Sequence, residues 1–188
     1  FYLSPWLFLF LCPALTMRLL AEEKQSGTWE LLATKPLSKW AIILGKYMAG
    51  WMLVIVALLP VLLYYFIVSY LAEPVGNIDS GAFWGSFMGL ILLAAVYVAI
   101  GIFSSSLSNN QLVSFVTAVV ISFFMLYGFE LIGSFFNSGK LIYILENCGI
   151  QSHYKSISRG VIDSRDLIYF LIVIYIFLFF TEKKMTKN

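Results

Sequence analysis

Residues 40–71 read WAIILGKYMAGWMLVIVALLPVLLYYFIVSYL, with Lys46 as the one charge in the run. A spanning helix needs about 20 mostly apolar residues. A helix of this length reaches roughly 48 Å, more than a hydrocarbon core of about 30 Å requires. The stretch therefore predicts one membrane-crossing helix whose first turns lie in the interface. Trp40 anchors it there, and Lys46 is expected to snorkel to water. Pro60 lacks a backbone donor and crowds the turn before it, so a kink is expected at that point.

Four further stretches have the same character: residues 1–17, 80–103, 111–136 and 166–180. Composition agrees, with 61% hydrophobic, 18% aromatic and only 12% charged residues. A soluble domain of 188 residues could not hide so much apolar surface, because its exterior must face water. The expected class is all-α and polytopic, with five spanning helices visible of six. The chain begins inside an apolar run with neither a basic start nor a cleavage signal, so at least one earlier helix is expected. The net charge of +2 and the absence of a long basic run exclude an electrostatic footprint for nucleic acid. Cys12 and Cys148 stand far apart and match no metal or redox spacing. His153 has no neighbouring ligand set in sequence and reads as a polar loop residue. No catalytic residues and no metal site are expected.

Helix-start chemistry supports these limits. Ser38, Asp79, Asn109 or Asn110, and Asp163 stand where caps are needed, with Asp166 in capping-box spacing after Asp163. Lys and Arg set the orientation. Segment 18–46 and the tail after residue 180 are rich in them, whereas 72–79 carries only Glu73 and Asp79. The positive-inside rule then places 18–39 and the tail in the cytoplasm and 72–79 outside. By alternation loop 104–110 is inside, and 137–165 is an external loop. Tyr64, Tyr65, Tyr70 and Trp84 fall in the outer aromatic belt.

Segment 18–38 carries the most information. Gly27-Thr28 interrupts one helix, and Thr28 can cap another, with Glu30 in its first turn, favourable to the helix dipole. Trp29, Leu32 and Ala33 fall at i, i+3 and i+4, an apolar stripe, and Pro36 ends the helix. Such a helix docks in a partner's groove or lies on the lipid surface. Gly81, Gly85 and Gly89 share one face of a spanning helix at the spacing that lets two backbones approach closely, although glycine is common in membrane helices in any case. Glu130, near the outer end of the fourth span, is a candidate intramembrane polar site, or else snorkels to water.

The run Met17-Arg18, Ala21-Glu22-Glu23-Lys24, Gly27-Thr28-Trp29-Glu30-Leu31-Leu32, Lys35-Pro36-Leu37-Ser38 and Gly45-Lys46-Tyr47 resembles the signature of ABC-2 type permeases. Gly76-Asn77-Ile78-Asp79-Ser80-Gly81, Gly101 to Gln111, and Ser156 to Asp163 extend the resemblance toward the permease subunit of the gliding-motility-associated ABC transporter of Bacteroidetes. The resemblance implies six spanning helices per subunit in a single domain over 1–188. It also implies a coupling helix at 22–37 seated on a separate ATP-binding subunit, and a second permease subunit, the same or related, around a central path. In that subunit, not in this chain, ATP and magnesium would bind. The chain itself has no Gly-x-x-x-x-Gly-Lys-Ser/Thr loop to cradle phosphates. The reading is a permease subunit in the plasma (inner) membrane, in contact with lipid. The alternative is a non-transporting membrane scaffold of a motility or secretion complex. An intramembrane enzyme is a distant third, because paired polar residues are missing.

Overall fold

The computed structural model describes residues 3–29, 37–74, 78–135, 139–160 and 163–186. Nine α-helices occur among them, with no strand: α1 Ser4–Thr16, α2 Arg18–Gln25, α3 Lys39–Leu71, α4 Ser80–Leu107, α5 Gln111–Phe123, α6 Phe129–Gly133, α7 Gly139–Cys148, α8 Ile150–Ile157 and α9 Ser164–Thr186. A π-helical turn, Phe124–Gly128, joins α5 to α6. Five helical stretches are long and apolar enough to cross a membrane: Ser4–Gln25, Lys39–Leu71, Ser80–Leu107, Gln111–Gly133 and Ser164–Thr186. The chain is an all-α, multi-pass membrane protein.

Helix α4 is the axis. Every residue from 93 to 102 is buried, so this helix is covered on all sides, as expected for one enclosed by others. Helices α1, α3, α5 and α9 pack around it, while α2 and α8 contact it near opposite ends. Small residues make the close approaches. A Cβ at Gly101 would run into the Thr16 hydroxyl of α1. By contrast only 11% of the apolar window of α3 is buried, which leaves most of that helix facing lipid. The helix continues unbroken through Pro60.

Local chemistry explains the boundaries. Ser38 Oγ accepts from the Ala41 amide at 3.2 Å, Asp79 Oδ1 from Ala82 at 3.0 Å, and Asn110 Oδ1 from Leu112 at 2.9 Å. Asp163 accepts from the Arg165 amide at 3.0 Å, but Asp166 does not reach back to close a capping box, since its carboxylate turns to His153. The π-helical turn is accommodated by Gly128, over which the Phe124 ring lies so closely that a Cβ would come within 2.5 Å of it. α9 runs past the end of its apolar stretch, with Lys183 over the Phe179 ring at 4.7 Å and two lysines in its last turn.

Two expected loops are helical. Residues 104–106 belong to α4 and are fully buried rather than exposed in a connection, because α2 packs onto these small side chains. Segment 137–165 contains a hairpin, α7 and α8, hinged at Gly149. Ile150, Tyr154 and Ile157 of α8 are buried at i, i+4 and i+7.

Candidate functional site

The best-connected polar cluster lies where α2 meets α4 and α3. Ser105 Oγ, on α4, accepts from the amides of Leu20 at 3.0 Å and Ala21 at 2.9 Å, and donates to the Met17 carbonyl at 3.0 Å. The first amides of a helix lack partners within it. Here a serine 85 residues away supplies what an N-cap normally supplies locally. The chain can thereby break after α1 at Met17 and restart as α2 without losing buried hydrogen bonds. Leu20 and Ala21 are wholly buried beneath it.

A second tie joins α2 to α3. Lys46 Nζ donates to the Leu19 carbonyl at 2.7 Å and pairs with Glu23 Oε1 at 2.5 Å. Lys46 does not snorkel to water as expected; only 16% of its side chain is exposed. The reason is geometric, since α2 brings both a carboxylate and a free carbonyl within reach of its stem. Lys24 donates to the Ser106 carbonyl, a third link between α2 and α4. At the far end of α2, Gly27 takes φ +72°, a conformation that glycine adopts freely, and the helix stops there.

Thr28 and Trp29 begin a new helical turn, and Trp29 is half-buried against the chain's own core. Of the expected docking residues, Glu30, Leu32 and Ala33 lie outside the described residues.

The glycine face of α4 meets the α7–α8 hairpin rather than another spanning helix. A Cβ at Gly85 would fall 2.5 Å from Gly160 Cα and 2.6 Å from the Ile157 carbonyl. At Gly89 it would touch Ile157 and Tyr154 at 3.4 Å, and at Gly81 only Asp79, also at 3.4 Å. Gly160 itself has φ +86° and leaves no room for a Cβ against the Gly81 carbonyl. Ser86 donates to the Ser158 carbonyl at 3.0 Å, closing the same contact. Burial pushes the Tyr154 phenol up to about 12, so it remains neutral at ordinary pH.

Glu130, on α6, is about half exposed and faces Lys155 of α8 at 3.8 Å. The two line a polar pocket of about 260 Å³ with Glu146, Gln151, Ser152 and Arg159. At this exposure the pair contributes little to stability.

One constellation escaped the sequence reading. His153 is not an isolated loop residue. It lies on α8, with Nδ1 2.6 Å from Asp166 Oδ1 of α9 and Nε2 2.9 Å from the Asn147 carbonyl of α7. Its ring stacks on Tyr169 with centroids 3.9 Å apart, and the Tyr169 hydroxyl donates to the Cys148 carbonyl at 2.7 Å. The 13 residues between His153 and Asp166 span a turn between helices, so no fixed spacing announces the pair. Among the described residues, no three His, Cys, Asp or Glu side chains gather as a metal site.

A family model described as ABC-2 family transporter protein matches residues 7–178. No curated protein and no solved structure gave a significant match.

Proposed function

The chain belongs to the ABC-2 transporter family, and from that premise we propose that it is the permease subunit of an ABC transporter driven by a separate ATP-binding subunit. The observation that carries the coupling part of this reading is the tie of α2 to the bundle. Segment 22–37 begins within α2, and α2 is held to α4 by Ser105 and Lys24 and to α3 by Lys46. A helix docked on a moving ATPase at 28–35 would hand its displacement to α2, and α2 to the axial helix. Moving a two-state population from 1:99 to 99:1 takes about 5.5 kcal/mol of differential binding, so a small contact must be rigid to do it. Buried hydrogen bonds to backbone amides provide that rigidity.

Trp29, Glu30, Leu32 and Ala33 are the proposed docking residues, with ATP and magnesium bound by the partner. A second permease chain completes the path. The plasma membrane is the proposed location, with 18–39 and 182–188 cytoplasmic and 72–79 and 137–165 external. Resemblance over the segments around Asp79, Ser105 and Arg159 supports the narrower reading of a gliding-type member. The deciding test is co-purification of the ATPase with wild-type and Trp29→Ala permease at equal membrane levels. Removing a large aromatic anchor should weaken docking by about 2 kcal/mol or more while insertion survives. Full retention of the ATPase with unchanged activity would place Trp29 against its own bundle or lipid alone. ATPase stimulation by a transported substrate separates the permease from a non-transporting scaffold, which would show none.

A further inference from the structure

We propose that His153 and Asp166 form a proton-binding latch that fastens the α7–α8 hairpin to α9. The inference does not depend on the transport reading. It begins with what each ring nitrogen faces. The Asn147 oxygen is a backbone carbonyl and can only accept, so Nε2 must carry a hydrogen at 2.9 Å. A neutral imidazole has one donor and one acceptor nitrogen, which leaves a lone pair on Nδ1. That lone pair would face a carboxylate oxygen, another acceptor, at 2.6 Å. Two lone pairs do not hold that distance; a proton lies between them. It sits on Nδ1 as part of an imidazolium, or on Asp166 as a carboxylic acid. In either microstate the pair binds one proton more than a neutral imidazole and a carboxylate do apart.

The surroundings make the proton matter. Only 14% of the histidine side chain and 9% of the aspartate side chain are exposed, so water is poorly placed to replace a lost hydrogen bond. The second oxygen of Asp166 is buried with no partner, which leaves His153 as the group that stabilises this carboxylate. The pair borders a cavity of about 380 Å³. The other ionisable groups around it are Tyr143 from α7, Asp163 ahead of α9, and Arg165 and Tyr169 from α9 itself. On α8 the nearby Lys155 faces the other way, toward Glu130. Asp163 and Arg165 offset each other, and Tyr169 is engaged with Cys148.

The three partners sit on three helices, Asn147 on α7, His153 on α8 and Asp166 on α9, so the bound proton holds the hairpin to the bundle. The docked state keeps the proton, while the released state loses it once its imidazole deprotonates. Docking therefore weakens as pH rises, by up to about tenfold per pH unit for one proton. It is strongest between the ordinary carboxylate and imidazole ranges, about pH 4 to about pH 6.5.

The test is a spin-label distance between Lys140→Cys on α7 and Ser164→Cys on α9. The full-length chain, with Cys148→Ser as background, is reconstituted in lipid nanodiscs and measured from about pH 5.5 to about pH 8.5, across the window where imidazole changes charge. A single short distance at low pH that broadens or lengthens at high pH is the expected result. Asp166→Asn supplies permanently, through its amide N–H to Nδ1, the hydrogen that the proton supplies, and should keep the hairpin docked at both ends of the range. His153→Gln removes the titrating ring and should give a distribution that does not change with pH. A wild-type distance that ignores pH overturns the latch. So does a pH response that survives in either variant, because the titrating group then lies elsewhere.

Discussion

Ser105→Ala removes one hydroxyl and strands three backbone groups. Leu20 and Ala21 each lose a hydrogen-bond acceptor at 3.0 and 2.9 Å, and the Met17 carbonyl loses a donor at 3.0 Å. Ser105, Leu20 and Ala21 have no exposed surface, so solvent does not take over the bonds. A buried amide left unpaired costs about 1–3 kcal/mol, and loss of a helix N-cap costs about 0.5–2 kcal/mol in more exposed settings. Partial relaxation of α2 recovers some of this, and the combined destabilisation should be about 2–4 kcal/mol. The neighbouring serine is the control. Ser104 is equally buried, yet its hydroxyl has no hydrogen-bond partner among the described residues. Ser104→Ala removes a buried polar group at no cost in bonds and should be neutral or stabilising. The assay is reversible unfolding in mixed micelles, with both variants measured beside the wild type. Equal effects of the two substitutions would refute the capping role, and so would a Ser105→Ala cost below about 0.5 kcal/mol.

Gly85→Ala should displace the turn at Gly160, because the new Cβ would stand 2.5 Å from backbone that cannot rotate away; Gly81→Ala, with only Asp79 at 3.4 Å, should be tolerated. Protease nicking between 149 and 163 in nanodiscs reads the difference, and equal protection of the two variants would show that α4 and α8 separate easily. For topology, an impermeant thiol reagent applied to whole cells should label Lys140→Cys and leave Lys184→Cys untouched. The reverse pattern would invert the assignment of every loop.

The spans were legible because each is long and apolar, and the caps were legible because Ser38, Asp79, Asn110 and Asp163 act on residues two or three positions away. Gly27 announced its break for the same local reason. What failed to show was long-range. Ser104 to Ser106 read as a polar loop, since nothing local says that α2 will arrive to use Ser105. Lys46 read as snorkelling because its partner Glu23 lies on another helix. Helix α8 is too short and too mixed in polarity to signal a buried face, and the partners of His153 come from three separate elements. The glycine spacing pointed to close packing without naming the neighbour, which proves to be Gly160 and Ile157. The stripe at Leu32 and Ala33 lies outside the described residues.

The two ends of α4 solve one problem in the same way. Near one end Gly101 and Ser105 let α1 and α2 approach the helix backbone; near the other Gly85 and Ser86 do so for α8 and the turn after it. Between them, residues 93–102 are buried without interruption. Long side chains at a helix contact can change rotamer and absorb a small displacement. Contacts made by glycine Cα atoms and backbone carbonyls have no such freedom, and a close-packed interior transmits strain instead of dissipating it. A shift of α2 that exceeds what its Ser105 bonds tolerate must therefore either break them or carry α4 along. Breaking them exposes buried amides at a cost comparable to the whole cap. Carrying α4 moves Gly85 against Gly160, where a fraction of an ångström is all the available room. The α7–α8 hairpin is thus the part of the chain that must yield when α4 moves, and the His153–Asp166 pair is what holds that hairpin to its third support, α9.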